Sequence, residues 1–300
     1  MHDEPDGRVA TNRGVEIAYA TAGEGETVAF VPTLGYGAWQ WGWQFPAVVG
    51  PFRAIAMELR GTGNAGEGPE PAGGEADGAP PGPHDVATLA DDLEAVLADA
   101  EARRAHLVGF GLGGHVALEH AARYDRARSL TLIGTTPGLP EGELPGRVRS
   151  DGESERDDAG TDRDLVDALY APADDRDALR DSLSPVLSAD FRTAHPDVLD
   201  GIAEWRADED ADRAGWEAQA PAFTDWERPW PPYEVTEPTL VVQGGADRVV
   251  PPENADVLEE LLPDTERLDF PDAGHLVTVE RSRPLNDRLL GWLERHADLE

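Results

Sequence analysis

The stretch RRAHLVGFGLGGHVALEHA, from Arg103 to Ala121, decides the fold of this chain. An apolar strand runs into a tight glycine turn, and a helix follows. Two interpretations of such a turn compete: a cradle for the phosphates of a dinucleotide, or an elbow that presents a catalytic nucleophile. The glycines alone do not distinguish the two interpretations, so the rest of the sequence must.

Gly109, Gly111 and Gly114 spell G-x-G-x-x-G between the strand and the helix, which is the local context of a dinucleotide-binding turn. A carboxylate that binds the ribose is expected about 20 residues further on, but the next strand ends in LIGTT at 132–136. The motif also follows several earlier strands instead of opening the domain. A nucleotide-binding oxidoreductase is therefore an alternative that only the glycines favour.

Strand and helix patterns alternate on both sides of the turn. Short apolar runs such as TVAFVP, FRAIAMEL, SLTLIG and PTLVVQG are typical of buried parallel strands. Asp85, a residue type that caps helices, precedes a run with apolar residues at helical spacing. The alternation predicts an α/β fold, with a mostly parallel sheet flanked by helices.

The character of the sequence changes between residues 138 and 237. This segment is acidic, contains short amphipathic pieces such as DLVDALYA and VLDGIAEWRA, and holds four of the eight tryptophans. The pattern predicts a helical cap inserted into the sheet. The chain then divides into the first part of a core domain (1–137), a cap or lid (138–237) and the second part of the core (238–300).

Charge is the most extreme feature of the composition. Aspartate and glutamate number 60 against 25 basic residues, all of them arginine, which gives a net charge of −35. A nucleic-acid backbone would repel such a surface, so no nucleic-acid partner is expected. The acidic residues are spread through every segment, a pattern that we interpret as adaptation to a salt-accumulating cytoplasm. An acidic protein of GC-rich origin is the alternative, because GC-biased codons also remove lysine.

The chain contains no cysteine, which excludes disulfides, thiolate nucleophiles and thiolate metal sites. Its first residues are acidic, and no segment has the roughly 18 consecutive apolar residues of a membrane span. No cluster of histidines and carboxylates has metal-ligand spacing. We therefore predict a soluble cytoplasmic protein with no membrane partner, no cofactor and no metal, which binds a small-molecule substrate or ligand.

Two distant loops favour the elbow over the phosphate cradle. LVVQGGADRVVPP places Asp247 just after a buried strand, and FPDAGHLVTVE places His275 in the loop after the next one. Parallel strands deliver the loops at their carboxyl ends to the same edge of a sheet. Gly111, Asp247 and His275 are therefore expected to converge.

With these residues the chain resembles the α/β-hydrolase superfamily over nearly its whole length. VPTLGYGAWQW, where an oxyanion loop belongs, and ELRGTGNA after the next strand add to the resemblance. The resemblance implies a site in which Asp247 orients His275, and in which the backbone N–H groups of Leu34 and Leu112 form an oxyanion hole.

The chain departs from this family at the nucleophile. The family pattern is G-x-S-x-G, whereas residues 109–113 read GFGLG and no serine precedes Ser129. Glycine enters the strained elbow conformation freely, but it offers no hydroxyl for the histidine to deprotonate. The oxyanion loop departs as well, since Pro32-Thr33 stands where the family commonly has His-Gly. The sequence alone predicts that Gly111→Ser would create reactivity.

Two functions stay open beside the oxidoreductase. In the first, the Asp247–His275 dyad acts as a general base on water, or on an acidic proton, with a small and fairly apolar ester or carbonyl substrate. In the second, the chain is a non-catalytic relative that keeps its pocket for ligand or protein binding. Trp39, Trp41 and Trp43 alternate, so in an extended segment they would face one side and wall the substrate pocket. Packing beneath the cap is the other interpretation of these three residues.

Overall fold

The computed structural model describes residues 5–62, 84–144 and 167–297. Its sheet has eight strands in the order β1-β2-β4-β3-β5-β6-β7-β8. The strands are β1 (Asp6–Asn12), β2 (Val15–Ala22), β3 (Thr27–Val31), β4 (Arg53–Met57), β5 (Ala105–Phe110), β6 (Ala127–Ile133), β7 (Thr239–Gly244) and β8 (Thr265–Phe270). The pairings of β2 with β1 and β4 are antiparallel, and every pairing from β4 across to β8 is parallel. The predicted mostly parallel sheet is confirmed.

Helices connect these strands. They are α1 (Phe45–Val48), α2 (Val86–Asp99), α3 (Leu112–Arg123), α4 (Arg176–Asp181), α5 (Ala189–Ala194), α6 (Pro196–Glu209), α7 (Arg213–Thr224), α8 (Glu253–Leu261), α9 (Val277–Glu280) and α10 (Ser282–His296). A short 3-10 helix, Ala38–Trp41, precedes α1. None of the helices that the structure describes is long and apolar enough to cross a membrane.

The centre of the sheet forms the core. Strands β3, β5 and β7 are buried along their whole length, because parallel strands covered on both faces expose neither set of side chains. Helix α2 begins where the sequence predicts, and the side chain of Asp85 accepts a hydrogen bond from the Thr88 N–H at 2.7 Å. Helices α2 and α3 pack against each other, and α3 also packs on β5 and β6.

A buried ion pair ties α2 to the end of β4. Arg60 Nε donates to Asp92 Oδ2 at 2.6 Å, and both residues are almost inaccessible to solvent. Asp92 also accepts from Asn12 Nδ2 at 2.7 Å. Because a buried charge is costly unless it is paired and hydrogen-bonded, these contacts give Arg60 a structural role.

Helices α4 to α7 all lie in the connection between β6 and β7, within the segment for which the sequence predicts a helical cap. Residues 145–166 of that segment lie outside the described residues. The cap meets the core through buried side chains, among them Leu199, Ile202 and Trp216. The cap therefore covers part of the sheet edge that carries the loops with the predicted site residues.

Candidate active site

Gly111 lies at the sharp turn between β5 and α3. Its φ of +52° falls in the left-handed region that favours glycine. Its N–H donates to the carbonyl of Ile133 at 2.9 Å, which fixes the turn against β6. A β-carbon added to Gly111 would lie 3.8 Å from Nε2 of His275. The structure thus brings Gly111 and His275 together, as the elbow interpretation requires.

The neighbouring glycines have a packing role at this turn. A β-carbon on Gly109 would come closer than 3.0 Å to the carbonyl of Gly113, and one on Gly113 equally close to the carbonyl of Val31. Such separations are essentially never found for real β-carbons. A β-carbon on Gly114 would likewise lie closer than 3.0 Å to Oγ1 of Thr135, so close packing explains the glycines at 109 and 114 without a bound nucleotide.

Asp247 and His275 form a hydrogen-bonded dyad. His275 Nδ1 lies 2.7 Å from Asp247 Oδ2, and both side chains are buried. The other carboxylate oxygen of Asp247 accepts from the N–H groups of Val249 and Val250 at 2.8 and 2.9 Å. Because a carboxylate only accepts hydrogen bonds, Nδ1 of His275 is the donor in this pair. In the neutral imidazole, Nε2 on the side of the elbow is then the proton acceptor.

The loop that carries His275 is anchored to the cap. Glu280 accepts hydrogen bonds from the N–H of Gly274 at 2.9 Å, from the N–H of Ser188 at 2.8 Å and from the Ser188 hydroxyl at 2.6 Å. The N–H of Leu276 donates to the carbonyl of Val186 at 2.9 Å. The sequence carries no signal for these contacts, because Ser188 and Glu280 are 92 residues apart. They fix the position of the histidine relative to the cap.

The two predicted oxyanion donors differ in their environment. The N–H of Leu112, at the start of α3, donates to Oγ1 of Thr33 at 3.3 Å. The N–H of Leu34 has no acceptor within the described part of the chain. Thr33 itself is held by Gln40, whose Oε1 accepts from the Thr33 N–H at 3.0 Å. The sequence does not indicate Thr33 as a site residue. The one signal that it carries is Pro32-Thr33 in place of the His-Gly that is common in the family.

A small cavity borders the dyad. Its volume is about 10 Å³, which is enough for roughly one water. Its polar lining residues are Thr33, Tyr36 and His275. The cap contributes apolar lining residues: Leu169, Val186, Trp216 and Phe223. The site is therefore small, mostly apolar and partly built by the cap.

The three alternating tryptophans do not line this cavity, and their role in a substrate pocket stays a prediction. Trp39 and Trp41 lie in a 3-10 helix and Trp43 in the turn that follows it, so the segment is not extended. Trp41 packs on Phe30, with ring centroids 4.9 Å apart, while Trp43 meets Trp205 edge to face. Trp39 is buried beneath the cap, where its Nε1 donates to Asp210 at 2.7 Å.

A carboxyl cluster, formed by Glu58, Glu209 and Asp210, joins the cap to the oxyanion loop. Glu58 accepts from the N–H of Ala38 at 3.0 Å, and Glu209 accepts from the N–H of Trp39 at 2.7 Å. Asp210 accepts from the N–H of Gly37 at 3.2 Å and from Nε of the buried Arg206 at 2.6 Å. Burial, reinforced by the two neighbouring carboxylates, raises the pKa of Glu58 to about 8.

This raised pKa predicts a pH-dependent stability. Between its ordinary value of 4.5 and about 8, Glu58 is ionised in the unfolded chain and protonated in the folded one. The folded state then binds more protons, so stability falls as the pH rises through this range. We expect Glu58→Gln to flatten the decline in urea midpoint between pH 5 and pH 8, at constant salt. Glu16→Gln, at an exposed glutamate of β2, is the control, and an unchanged slope in Glu58→Gln would contradict the prediction.

Residues 5–62, 84–144 and 167–297 contain no group of three or more His, Asp and Glu side chains arranged to hold a metal ion. The chemistry that these residues offer is that of a base beside a small, mostly apolar cavity. The dyad supplies the base, and Leu34 supplies an N–H donor next to it.

Comparison with known proteins places this geometry in a family. The model of the family described as alpha/beta hydrolase fold matches residues 27–282. The chain is 26% identical, over 283 residues, to the dihydrolipoyllysine-residue acetyltransferase component of the acetoin cleaving system of Pseudomonas putida, covering 93% of this chain and 66% of that protein. It thus spans slightly less than two thirds of that relative's length.

Two further proteins are similar to this chain over most of the length of both chains. The non-heme chloroperoxidase CPO-A1 of Kitasatospora aureofaciens is 28% identical over 251 residues, which is 80% of this chain and 81% of that protein. The crystal structure of the enol-lactonase from Burkholderia xenovorans LB400 superposes with a TM-score of 0.76 at 22% identity, over 96% of this chain and all of that one. Sheet order, elbow and family match agree, and the chain belongs to the α/β-hydrolase fold family.

Proposed function

We propose that this protein hydrolyses small, fairly apolar ester or carbonyl substrates with the Asp247–His275 dyad as general base and without a serine nucleophile. The observation that carries the proposal is the position of His275. Its Nδ1 is 2.7 Å from Asp247 Oδ2, and its Nε2 is 3.8 Å from the β-carbon position of residue 111. Gly111 stands at the nucleophile position of the elbow, and it supplies the turn but no reacting group.

In this mechanism water is the nucleophile. Nε2 of His275 takes one proton from the water as its oxygen bonds to the substrate carbonyl carbon, and Asp247 stabilises the imidazolium that forms. The N–H of Leu34 donates to the carbonyl oxygen as it becomes an oxyanion; the N–H of Leu112 joins it only when the Thr33 hydroxyl releases it. The proton on Nε2 passes to the leaving alcohol as the carbon–oxygen bond breaks. The histidine returns to its neutral form.

The cavity lining supports this substrate class. Its members from the core and the cap are largely apolar, yet the hydroxyl of Tyr36 and Nε1 of Trp216 are buried with no hydrogen-bond partner among the described residues. A buried donor without a partner costs about 1–3 kcal/mol, and a ligand that carries a hydrogen-bond acceptor would remove that cost. Since the space admits only about one water, an ester enters only when the cap helices shift. We therefore propose that the cap helices α4 to α7 act as a lid.

The proposal predicts a base-dependent esterase. His275→Ala is expected to lower kcat/KM for p-nitrophenyl acetate and butyrate, in molar KCl, by about 10²- to 10⁴-fold, the usual contribution of a general base. The wild type is expected to show no burst and no mass increase with a fluorophosphonate. His195→Ala, at an exposed histidine of the cap, is the matched control. Equal activity in His275→Ala and the wild type would remove the basis for the proposal.

A binding protein without catalysis is the second candidate. One observation favours it: the Thr33 hydroxyl already occupies the Leu112 N–H, one of the two oxyanion donors. If the protein only binds its ligand, a small carbonyl compound would raise the melting temperatures of the wild type and of His275→Ala equally. Neither protein would then hydrolyse an ester. The oxidoreductase has no comparable support.

We also propose that the protein is halophilic and works in a salt-accumulating cytoplasm. The excess of 60 acidic over 25 basic residues supports this proposal, because molar salt screens the repulsion between them.

A further inference from the structure

Thr33 fills the space that a side chain at residue 111 would occupy. A β-carbon on Gly111 would lie closer than 3.0 Å to Oγ1 of Thr33 and 3.1 Å from its Cβ. Thr33 is 5% exposed and its backbone is fixed by the hydrogen bond to Gln40. The hydroxyl of Thr33 therefore stands at the elbow, in the space that a side chain at residue 111 would need.

The hydrogen bonds of this hydroxyl leave its proton available. Its oxygen accepts the N–H of Leu112 at 3.3 Å, and within the described residues no acceptor receives its hydrogen. Nε2 of His275, on the same side of the elbow, has no donor among those residues either. A hydroxyl donor and a lone-pair acceptor thus face one cavity that has room for about one water. No direct hydrogen bond joins Thr33 to His275.

We propose that Thr33 is a catalytic residue whose hydroxyl holds the attacking water against His275, an inference that rests on the proposed function. The Thr33 hydroxyl donates to one lone pair of the water, and the water donates one of its protons to Nε2. Its second lone pair then faces the substrate carbonyl carbon. When the carbon–oxygen bond forms, that proton moves to Nε2, and Thr33 keeps its own proton throughout.

Variants that keep or remove the hydroxyl test this role. Thr33→Ser keeps the hydroxyl, and Thr33→Val replaces it with a methyl group of similar shape. For p-nitrophenyl butyrate in molar KCl, we expect Thr33→Val to lower kcat by about 10- to 100-fold, the rate equivalent of one lost hydrogen bond. KM should stay within about 3-fold, because Thr33 binds the water and not the ester. Thr33→Ser should keep kcat within about 3-fold of the wild type.

Further measurements separate this inference from the proposed function. A fall in kcat for His275→Ala, with wild-type kcat in both Thr33→Ser and Thr33→Val, would overturn the role of Thr33 and leave the dyad in place. Wild-type kcat in His275→Ala would overturn both the role of Thr33 and the proposed function. A fluorophosphonate adduct on Thr33, located by peptide mass spectrometry, would also overturn it, since Thr33 would then be the nucleophile itself. If Thr33→Val does not fold, as judged by circular dichroism, Thr33→Ala removes the same hydroxyl without adding volume.

Discussion

Gly111→Ser alone is expected to stay inert toward a fluorophosphonate, whereas Thr33→Gly combined with Gly111→Ser is expected to react stoichiometrically. A serine at 111 places its β-carbon against Oγ1 of Thr33, whose χ1 is stiff, at a backbone φ of +52° that already costs about 1–3 kcal/mol for a residue with a side chain. Replacing Thr33 with glycine clears this space and frees the N–H of Leu112 to bind an oxyanion. Intact mass spectrometry measures the adduct, and we expect labelling at least about 10³-fold faster in the double variant.

Two controls accompany this experiment. Thr33→Gly with Gly111→Ala carries the same backbone change without a hydroxyl, so it separates folding from reactivity. Adding His275→Ala to the reactive double variant removes the base that activates the serine. Labelling of Gly111→Ser at the rate of the double variant would contradict the mutual exclusion of the two side chains. A folded double variant that does not react would favour the ligand-binding function.

In dilute buffer the protein is expected to lose its folded structure and to regain it as salt rises into the molar range. The net charge of −35 acts over a Debye length of about 10 Å at 0.1 M salt but only about 3 Å at 1 M. Surface ion pairs such as Arg267 with Asp256 and Glu259 weaken in salt as well, but each contributes at most about 1 kcal/mol. We expect the melting temperature to rise by about 10 °C or more, equivalent to a few kcal/mol.

Circular dichroism melts across a series of KCl concentrations measure this effect. Sucrose, which favours compact states without screening charge, is the control that separates screening from a general stabilisation by solutes. A melting temperature that does not change with KCl would contradict the halophilic proposal.

The sequence predicts those parts of the fold that local patterns encode. Asp85 and the apolar spacing after it predict α2, and the apolar runs predict β3, β5 and β7, because capping and burial act over a few residues. The approach of His275 to Gly111 follows from one topological rule, that the ends of parallel strands share an edge.

The sequence does not predict the contacts that join the cap to the core or one loop to another. Thr33 and Leu112 are 79 residues apart, and Trp39 and Asp210 are 171 apart, so no periodicity relates them. The substrate-pocket interpretation of the tryptophans assumed an extended segment, whereas Trp39 and Trp41 lie in a 3-10 helix. Tertiary packing decides the conformation of so short a stretch. Thr33 comes close to Gly111 and His275 only where the loops after β3, β5 and β8 meet. No single sequence motif encodes that meeting.

The overlap between Thr33 and a side chain at residue 111 constrains the evolutionary routes that lead from this chain. With the backbone as it stands, a β-carbon at residue 111 lies closer than 3.0 Å to Oγ1 of Thr33, so the two side chains exclude each other. A single substitution of Gly111 by serine meets this threonine, and a single substitution of Thr33 by glycine leaves no hydroxyl at the elbow. A serine therefore returns to the elbow only together with a second change at residue 33.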